Sequence, residues 1–386
     1  MLSRSNLKPI VDTLSFDSAI QLLQQKVTRR GIHYSLDRLN SVLLLLNNPH
    51  LNLPKTIHIA GTNGKGSVAH GLTHILVQKG FRVVTYTSPH IQCYTERFQF
   101  NGSPISQMEF SEWLTKISHC DPDDNLSEYE LLTIMAFCMA KELRPDVLIL
   151  ETGLGGRLDA TNVVPSSMAI ITDIGLDHTQ ILGGNLRDIA SEKAGIIKPN
   201  EPVVTHLDHD STVLEVIKSN SKSMNAILHW APPKKTFQER NLSLIQTALS
   251  AFFDIDLSDT DLHDIPSPFG RLTKTTYQGI PCMVDVGHNA HAVTAILQSG
   301  IGISEWVIGM KQEKDIDAVI ETLIQHKQMI RICEYTPKIC HCFNNLTEDH
   351  QKHVSIWLIG NSIQPNSLFF GSFTFIETLL DRAIKK

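Results

Sequence analysis

Short apolar runs bounded by turn residues alternate along the chain with stretches whose apolar residues recur at helical spacing. The runs predict strands at 56–60, 82–87, 146–150, 168–172 and 202–205. After the first of them, Val68, Leu72, Ile75 and Leu76 fall on one helical face, which Gly80 closes. Near-continuous apolar strands separated by helical patterns indicate a mostly parallel sheet covered by helices. A second series of strands, at 282–286, 306–309, 329–333 and 367–370, follows the stretch Pro266, Ser267, Pro268, Phe269, Gly270. Proline and glycine concentrate where few contacts cross, so the predicted organisation is a first domain at 1–267, a linker at 268–273 and a smaller domain at 274–386. No internal repeat and no low-complexity tract disturbs this order.

Composition agrees with two cores. The chain has 386 residues, 42% of them hydrophobic, more than one ordinary core takes up. A net charge of -6 excludes a nucleic-acid binder that works by bulk electrostatics. The N-terminal segment lacks an apolar run with a small-residue cleavage site, and no uncharged apolar run approaches the roughly 18 residues of a membrane span, so the expected setting is the cytoplasm, away from membranes. Seven scattered cysteines fit reduced thiols there. Cys340, His341 and Cys342 stand too close for a metal-binding hairpin, and no second pair follows.

The candidate chemistry sits just after predicted strands, where open α/β sheets bind their ligands. The first motif is Gly61, Thr62, Asn63, Gly64, Lys65, Gly66, Ser67. Glycines let backbone N–H groups approach phosphate oxygens, Lys65 neutralises their charge, and Ser67 is expected to open a helix whose dipole favours anions. It departs from the strict phosphate-loop pattern: Ile59 stands at the first glycine position, and Gly66 separates Lys65 from the hydroxyl. The second motif runs from Glu151 to Asn162 (ETGLGGRLDATN) directly after a strand. A strand-end carboxylate ahead of a glycine loop suits a metal ligand with a mobile substrate segment behind it, and it suits an exposed rim residue equally well. The third comprises Asp177, His178 and Thr179, with Glu192, Lys193, Ala194 and Gly195 one helix later. Taken alone, His178 reads as a core histidine and Lys193 as a solvated helix end.

Together these motifs resemble the folylpolyglutamate synthase and dihydrofolate synthase family of the Mur ligase superfamily. GTNGKGS, Thr87-Ser88-Pro89-His90 with Glu96 and Arg97, ETGLGGRLDATN, GLDHT and EKAGIIKP stand in that family's order. Gly270-Arg271, DVGHNAH at 285–291, Gly309-Met310 with Lys314-Asp315, and Gly371-Ser372 continue the likeness in the second domain. The resemblance implies an α/β protein of two domains, a P-loop ATPase domain on a mostly parallel sheet followed by a smaller Rossmann-like α/β domain. It implies an ATP-dependent ligase that adds L-glutamate to dihydropteroate and to reduced folates through an acyl phosphate. It implies Mg2+, two ions, held by Ser88, Glu151, His178 and a carbamylated Lys193. It implies catalytic roles for Lys65, Lys193, His178 and Glu151, and ATP contacts from residues 61–67 together with Arg271, Asp285 and His288. Arg29, Arg30, Gly31, Ile32, Glu130, Arg157, Leu158, Asp159 and Ala160 resemble the segments that line the pterin site. A monomer is expected.

Two rivals remain at this point: a Mur-type ligase acting on a cell-wall precursor, and a P-loop ATPase without ligation. The family's adenine-contacting asparagine has no secure counterpart either, because the register of the helix around Thr247 puts Leu244 there in place of Asn241. The chain also looks short between Thr205 and Asn241, as if a peripheral hairpin or helix were missing.

Overall fold

The apolar runs form two separate sheets in the computed structural model, which describes residues 13–29, 36–121, 126–257, 264–336, 339–382 and 384–385. The first half contains strands β1 (Lys55–Ala60), β2 (Val83–Tyr86), β3 (Phe98–Phe100), β4 (Ser103–Pro104), β5 (Val147–Glu151), β6 (Met168–Ile171), β7 (Pro202–His206) and β8 (Ile227–Ala231). They lie in the order β4-β3-β2-β5-β1-β6-β7-β8, parallel from β2 through β8, with β3 and β4 antiparallel at one edge. The helices of this half are α1 (Phe16–Arg29), α2 (Asp37–Leu45), α3 (Lys65–Gln78), α4 (Gln107–Ser118), α5 (Glu128–Leu143), α6 (Thr179–Leu182), α7 (Leu186–Ala194), α8 (Ser211–Ser223) and α9 (Phe237–Phe253). The stretch between Thr205 and Asn241 that looked short thus holds a full helix and a strand, α8 and β8.

Side chains of a strand point alternately to opposite faces, and here both faces are apolar because both are covered. In β5, Val147 and Ile149 join Ile57, Ile59, Val68, Leu72, Leu244 and Ala248 in the core under α3 and α9. Leu148 and Leu150 point the other way, into the core built by α1, α2, α4 and α5.

The second half repeats the plan with strands β9 (Thr273–Tyr277), β10 (Ile280–Asp285), β11 (Trp306–Gly309), β12 (Ile330–Cys333), β13 (Val354–Trp357), β14 (Ser367–Gly371) and β15 (Ile384–Lys385). Their order is β13-β12-β11-β14-β10-β9-β15, antiparallel only at β9 and β15. Helices α10 (Ala290–Gln298), α11 (Ile316–Gln325), α12 (Glu348–Gln351) and α13 (Phe373–Arg382) accompany them. Val284, Val307 and Phe369 serve one core, and Met283, Ile308 and Phe370 the other. No helix among the described residues is long and apolar enough to cross a membrane. The carboxyl ends of β1, β2, β5 and β6 face those of β10, β11 and β14, and the candidate residues collect between them.

Candidate active site

The phosphate loop is built by the turn between β1 and α3. Helix α3 opens at Lys65, two residues earlier than the sequence reading placed it, with Gly64 as its N-cap at φ +90°. A β-carbon at Gly64 would stand 2.6 Å from Asn241 Oδ1, so conformation and space both require glycine. The first turn of α3 leaves its N–H groups without intrahelical acceptors, a ready anion site. The loop is pinned to the end of β6: Thr62 N donates to Asp173 O at 2.7 Å, and Thr172 Oγ1 to Asn63 O at 2.7 Å. Arg240 holds the Asp173 carboxylate and that of Asp208.

Two amines converge under the loop. Lys65 Nζ donates to Gly61 O at 3.1 Å, and Lys193 Nζ, from the last turn of α7, donates to the same carbonyl at 2.8 Å. Lys193 is buried and Lys65 partly so, and removal from water disfavours an ammonium. Burial lowers the pKa of Lys65, which Glu151 opposes. Burial, then the charge of Lys65, brings Lys193 down to about 7. The solvated helix end read from sequence is in fact a residue only 4% exposed.

Glu151 ends β5, and Ser88 follows the neighbouring β2, so adjacent parallel strands bring them together. Ser88 N donates to Glu151 Oε2 at 3.1 Å, ahead of a cis Ser88–Pro89 peptide. Burial raises the Glu151 pKa against the pull of Lys65. No group among the described residues bonds Oε1. Across the loop, His178 adopts φ +50°, an unusual conformation for a residue with a β-carbon, and its amide bonds Asp177 Oδ1 at 2.9 Å. Burial, then Lys314, lowers its pKa to about 4.

The second sheet supplies the facing wall. Asp285, at the end of β10, accepts from Leu272 N at 2.9 Å and Gly287 N at 2.7 Å. His288 anchors Nδ1 on Val286 O at 2.9 Å and lies 3.7 Å from Asp177. Lys314 pairs with Asp177 at 2.8 Å, Asn289 Nδ2 donates to Asp177 Oδ2 at 3.1 Å, and Asn63 bonds both Asn289 and His291. These side chains close the walls of a cavity of about 520 Å³ that touches Lys65, Glu151, His178, Lys193, Arg271 and His288. A smaller cavity beside it is lined by Gly64, Ser67, Phe237, Asn241, Arg271 and Asp285. Asn241 therefore faces the phosphate loop, while Leu244 is fully buried under α3. That corrects the register inferred from sequence: residues 241 and 244 lie three apart on α9, and the apolar one turns to the core.

The predicted pterin segments are placed differently. Arg30, Gly31 and Ile32 lie outside the described residues, as does the side chain of Arg29. Glu130 caps α5 through Ser127 and pairs with Arg38 at 3.3 Å, and Arg157 pairs with Glu192 at 2.8 Å. The buried carboxylate of Asp159 accepts from Gly153 N, Leu154 N, Thr161 N, Thr161 Oγ1 and Tyr129 Oη. Ala160 is buried and Leu158 partly so. The part of this loop that lines the large cavity is Gly153, Leu154 and Gly155. Gly156 packs on the end of α7, where a β-carbon would stand 2.7 Å from Glu192 O and 3.0 Å from Lys193 O. Gly156→Ala should therefore destabilise the protein by about 1–3 kcal/mol and lower turnover by shifting Lys193. Urea unfolding alongside initial rates checks both effects.

Among the described residues no three His, Cys, Asp or Glu side chains converge on one point. The donors fit a hard cation of the magnesium type all the same, since such ions take one or two carboxylates and complete their shell with water and substrate phosphates. Glu151 presents Oε1 beside Ser88, next to the phosphate loop, as that chemistry needs. Asp177, Asn289 and Lys314 were not assigned from sequence, although each adjoins or belongs to a motif that was singled out. Their roles depend on the meeting of two sheets, which no local pattern encodes.

Comparison with known proteins adds three likenesses and one family. A family model, the Mur ligase middle domain, matches residues 59–255. The dihydrofolate synthase/folylpolyglutamate synthase of Haemophilus influenzae is 33% identical over 340 residues, 76% of this chain and 77% of that protein. The crystal structure of the bifunctional folylpolyglutamate synthase/dihydrofolate synthase from Yersinia pestis CO92 superposes with a TM-score of 0.80 at 27% identity, covering 96% of this chain and 98% of that one. A crystal structure of a bifunctional folylpolyglutamate synthase/dihydrofolate synthase with Mn, AMPPNP and L-glutamate bound gives 0.79 at 26%, over 96% and 98%.

Proposed function

The chain belongs to the dihydrofolate synthase/folylpolyglutamate synthase family, and from that premise we propose that it uses ATP to join L-glutamate to dihydropteroate and to reduced folates through an acyl phosphate. The observation that carries this reading is the single cavity in which Lys65, Lys193, Glu151 and His178 face Arg271 and His288. Residues 1–267 would hold ATP, metal and acceptor, residues 274–386 would complete the site, and 268–273 would join them. We take the working unit to be a single chain and its setting to be the cytoplasm.

In this reading the backbone amides of 64–67 and Lys65 hold the β- and γ-phosphates. The smaller cavity, with Phe237 and Asn241, takes the base, and Asp285 stands on its wall. The acceptor carboxylate attacks the γ-phosphorus in line, and ADP leaves. The glutamate amine then attacks the acyl carbon, and phosphate leaves. Positioning and charge neutralisation do most of the work in phosphoryl transfer, and Lys65 and Arg271 are aimed at that task. Ser88, Glu151, His178 and a carbamylated Lys193 would hold the divalent cation, two ions in our reading, which would supply further charge neutralisation. The facing walls keep water from the acyl phosphate. Residues 153–155 meet the acceptor, Arg157, Leu158, Asp159 and Ala160 continue that loop, and Glu130 stands at the start of α5 beside it.

ADP release from protein, ATP, magnesium and glutamate, compared with dihydropteroate, tetrahydrofolate and no acceptor, tests the proposal. Release is expected with either acceptor and only background without one. Turnover with tetrahydrofolate alone would remove the dihydropteroate activity. Release independent of acceptor and glutamate would return the ATPase reading, and turnover only with a cell-wall nucleotide precursor the Mur-type one.

A further inference from the structure

Lys314 leaves the loop after β11 and crosses to the first domain, where its ammonium lies 2.8 Å from Asp177 Oδ1 and 3.0 Å from His178 Nε2. Its own side chain is 11% exposed and that of His178 37%, so the lysine is held between the two halves of the molecule while the imidazole stays open to solvent. An ammonium has three donors and no acceptor, which makes Lys314 the donor and the Nε2 lone pair the acceptor. The imidazole then carries its proton on Nδ1, and Nε2 is the one nitrogen it can offer a metal ion. A lone pair serves a proton donor or a metal, one at a time.

The ring cannot easily avoid the choice. His178 caps α6 in a left-handed backbone conformation, and its amide is bonded to Asp177 Oδ1 at 2.9 Å, the same oxygen that receives Lys314. Asp177 thus orients both the imidazole and the ammonium that occupies it. A second cation at Nε2 would also stand a few ångströms from the ammonium, and like charges that close in a partly desolvated site repel strongly.

We propose that Lys314 is an intramolecular cation that competes with a divalent metal ion for Nε2 of His178, so that metal uptake there breaks one of the two bonds by which the second domain's lysine holds the first. The proposal rests on the reading of His178 as a metal ligand. The domain contact then falls to Lys314 and Asn289 on Asp177 and to Asn63 with Asn289 and His291, contacts that do not use Nε2. Metal affinity in the first domain therefore senses the position of the second, without any contact between the second domain and the metal.

The test is Mn2+ binding to the full chain without nucleotide, read as free Mn2+ by electron paramagnetic resonance, for wild type, Lys314→Met, His178→Ala and the double variant. Thermal unfolding of each confirms that it is folded. Lys314→Met should bind Mn2+ at least about fivefold more tightly, a coupling of ordinary size between linked sites. That gain should vanish in the His178→Ala background, which separates competition for the lone pair from the general loss of a positive charge. Hydrogen exchange across 311–315 should rise with Mn2+ in wild type and stay level in His178→Ala. Unchanged or weaker binding by Lys314→Met, or an equal gain in the His178→Ala background, would overturn the proposal. Wild-type affinity in His178→Ala alone would instead remove His178 as a ligand, and with it the premise.

Discussion

Lys193→Ala is expected to lower kcat by about a hundred- to a thousandfold while leaving a folded protein, because it removes charge stabilisation needed in the transition state and little packing. The reason lies in the amine itself. Burial, then Lys65, sets its pKa near 7, so much of it is neutral at physiological pH, and only a neutral amine adds CO2 to give the carbamate. The carbamate's oxygens are hard anionic donors suited to magnesium, which an ammonium is not. Activity should fall as CO2 is stripped from the buffer and as pH drops below about 7, and short carboxylates should restore part of it to the alanine variant. Stability gives a separate readout. As an amine, Lys193 has a folded pKa below the unfolded value of about 10.4, so the unfolded chain binds more protons between these values and stability rises with pH across that window. Below about 7 both states are protonated and the full cost of burying the charge is present. Lys193→Ala should flatten the rise. Near-wild-type turnover in the variant would remove both the carbamate and the role built on it.

The fold was legible where strands are buried on both faces. The predicted runs at 56–60, 146–150, 168–172, 306–309 and 367–370 coincide with β1, β5, β6, β11 and β14 to within a residue or so. All are central strands, whose continuous apolar character is the direct result of helices on each side. The missed strands lie at or near sheet edges. β9 reads Thr273, Lys274, Thr275, Thr276, Tyr277, with only its last residue fully buried, and β13 exposes Ser355 and Ile356 between two buried ends. Half-wet strands carry no long apolar run, and their pairing is settled by the sheet they join.

The site was legible in part for a related reason. Residues 61–67 announce themselves because their chemistry is local: a strand, a glycine turn and a helix start follow one another in the chain. Lys193 does not, since a lysine beside a glutamate near a helix end has the look of solvent until α7 is packed against the phosphate loop. Asp159 drew notice only through the family resemblance, and no local pattern showed that five donors would surround its carboxylate. Buried carboxylates saturated in this way organise a loop and leave no lone pair free for a ligand.

Arg271 shows how much depends on the meeting of the two sheets, and its removal should be nearly as costly as that of Lys193. It follows Gly270 at φ +78° in the short segment between the sheets, and it lines both the large cavity and the smaller one beside the phosphate loop. Lys65, Glu151, Asp285 and His288 all feel its charge. A guanidinium there can reach from the phosphate loop toward the second sheet with a planar fork of donors, which an ammonium cannot reproduce. Arg271→Ala should thus lower kcat by about a hundredfold or more, as loss of one preorganised donor commonly does. Arg271→Lys should recover only part, because charge returns without the fork. The fold should tolerate either change, since Asp285 keeps its bonds from Leu272 and Gly287. Kinetics separate the possible roles: a fall in kcat with modest change in AMPPNP affinity places Arg271 on the transferring phosphoryl group. A rise in KM for ATP with kcat unchanged would show that it only holds the nucleotide, and the two-sided reading of the cleft would then lose its central residue.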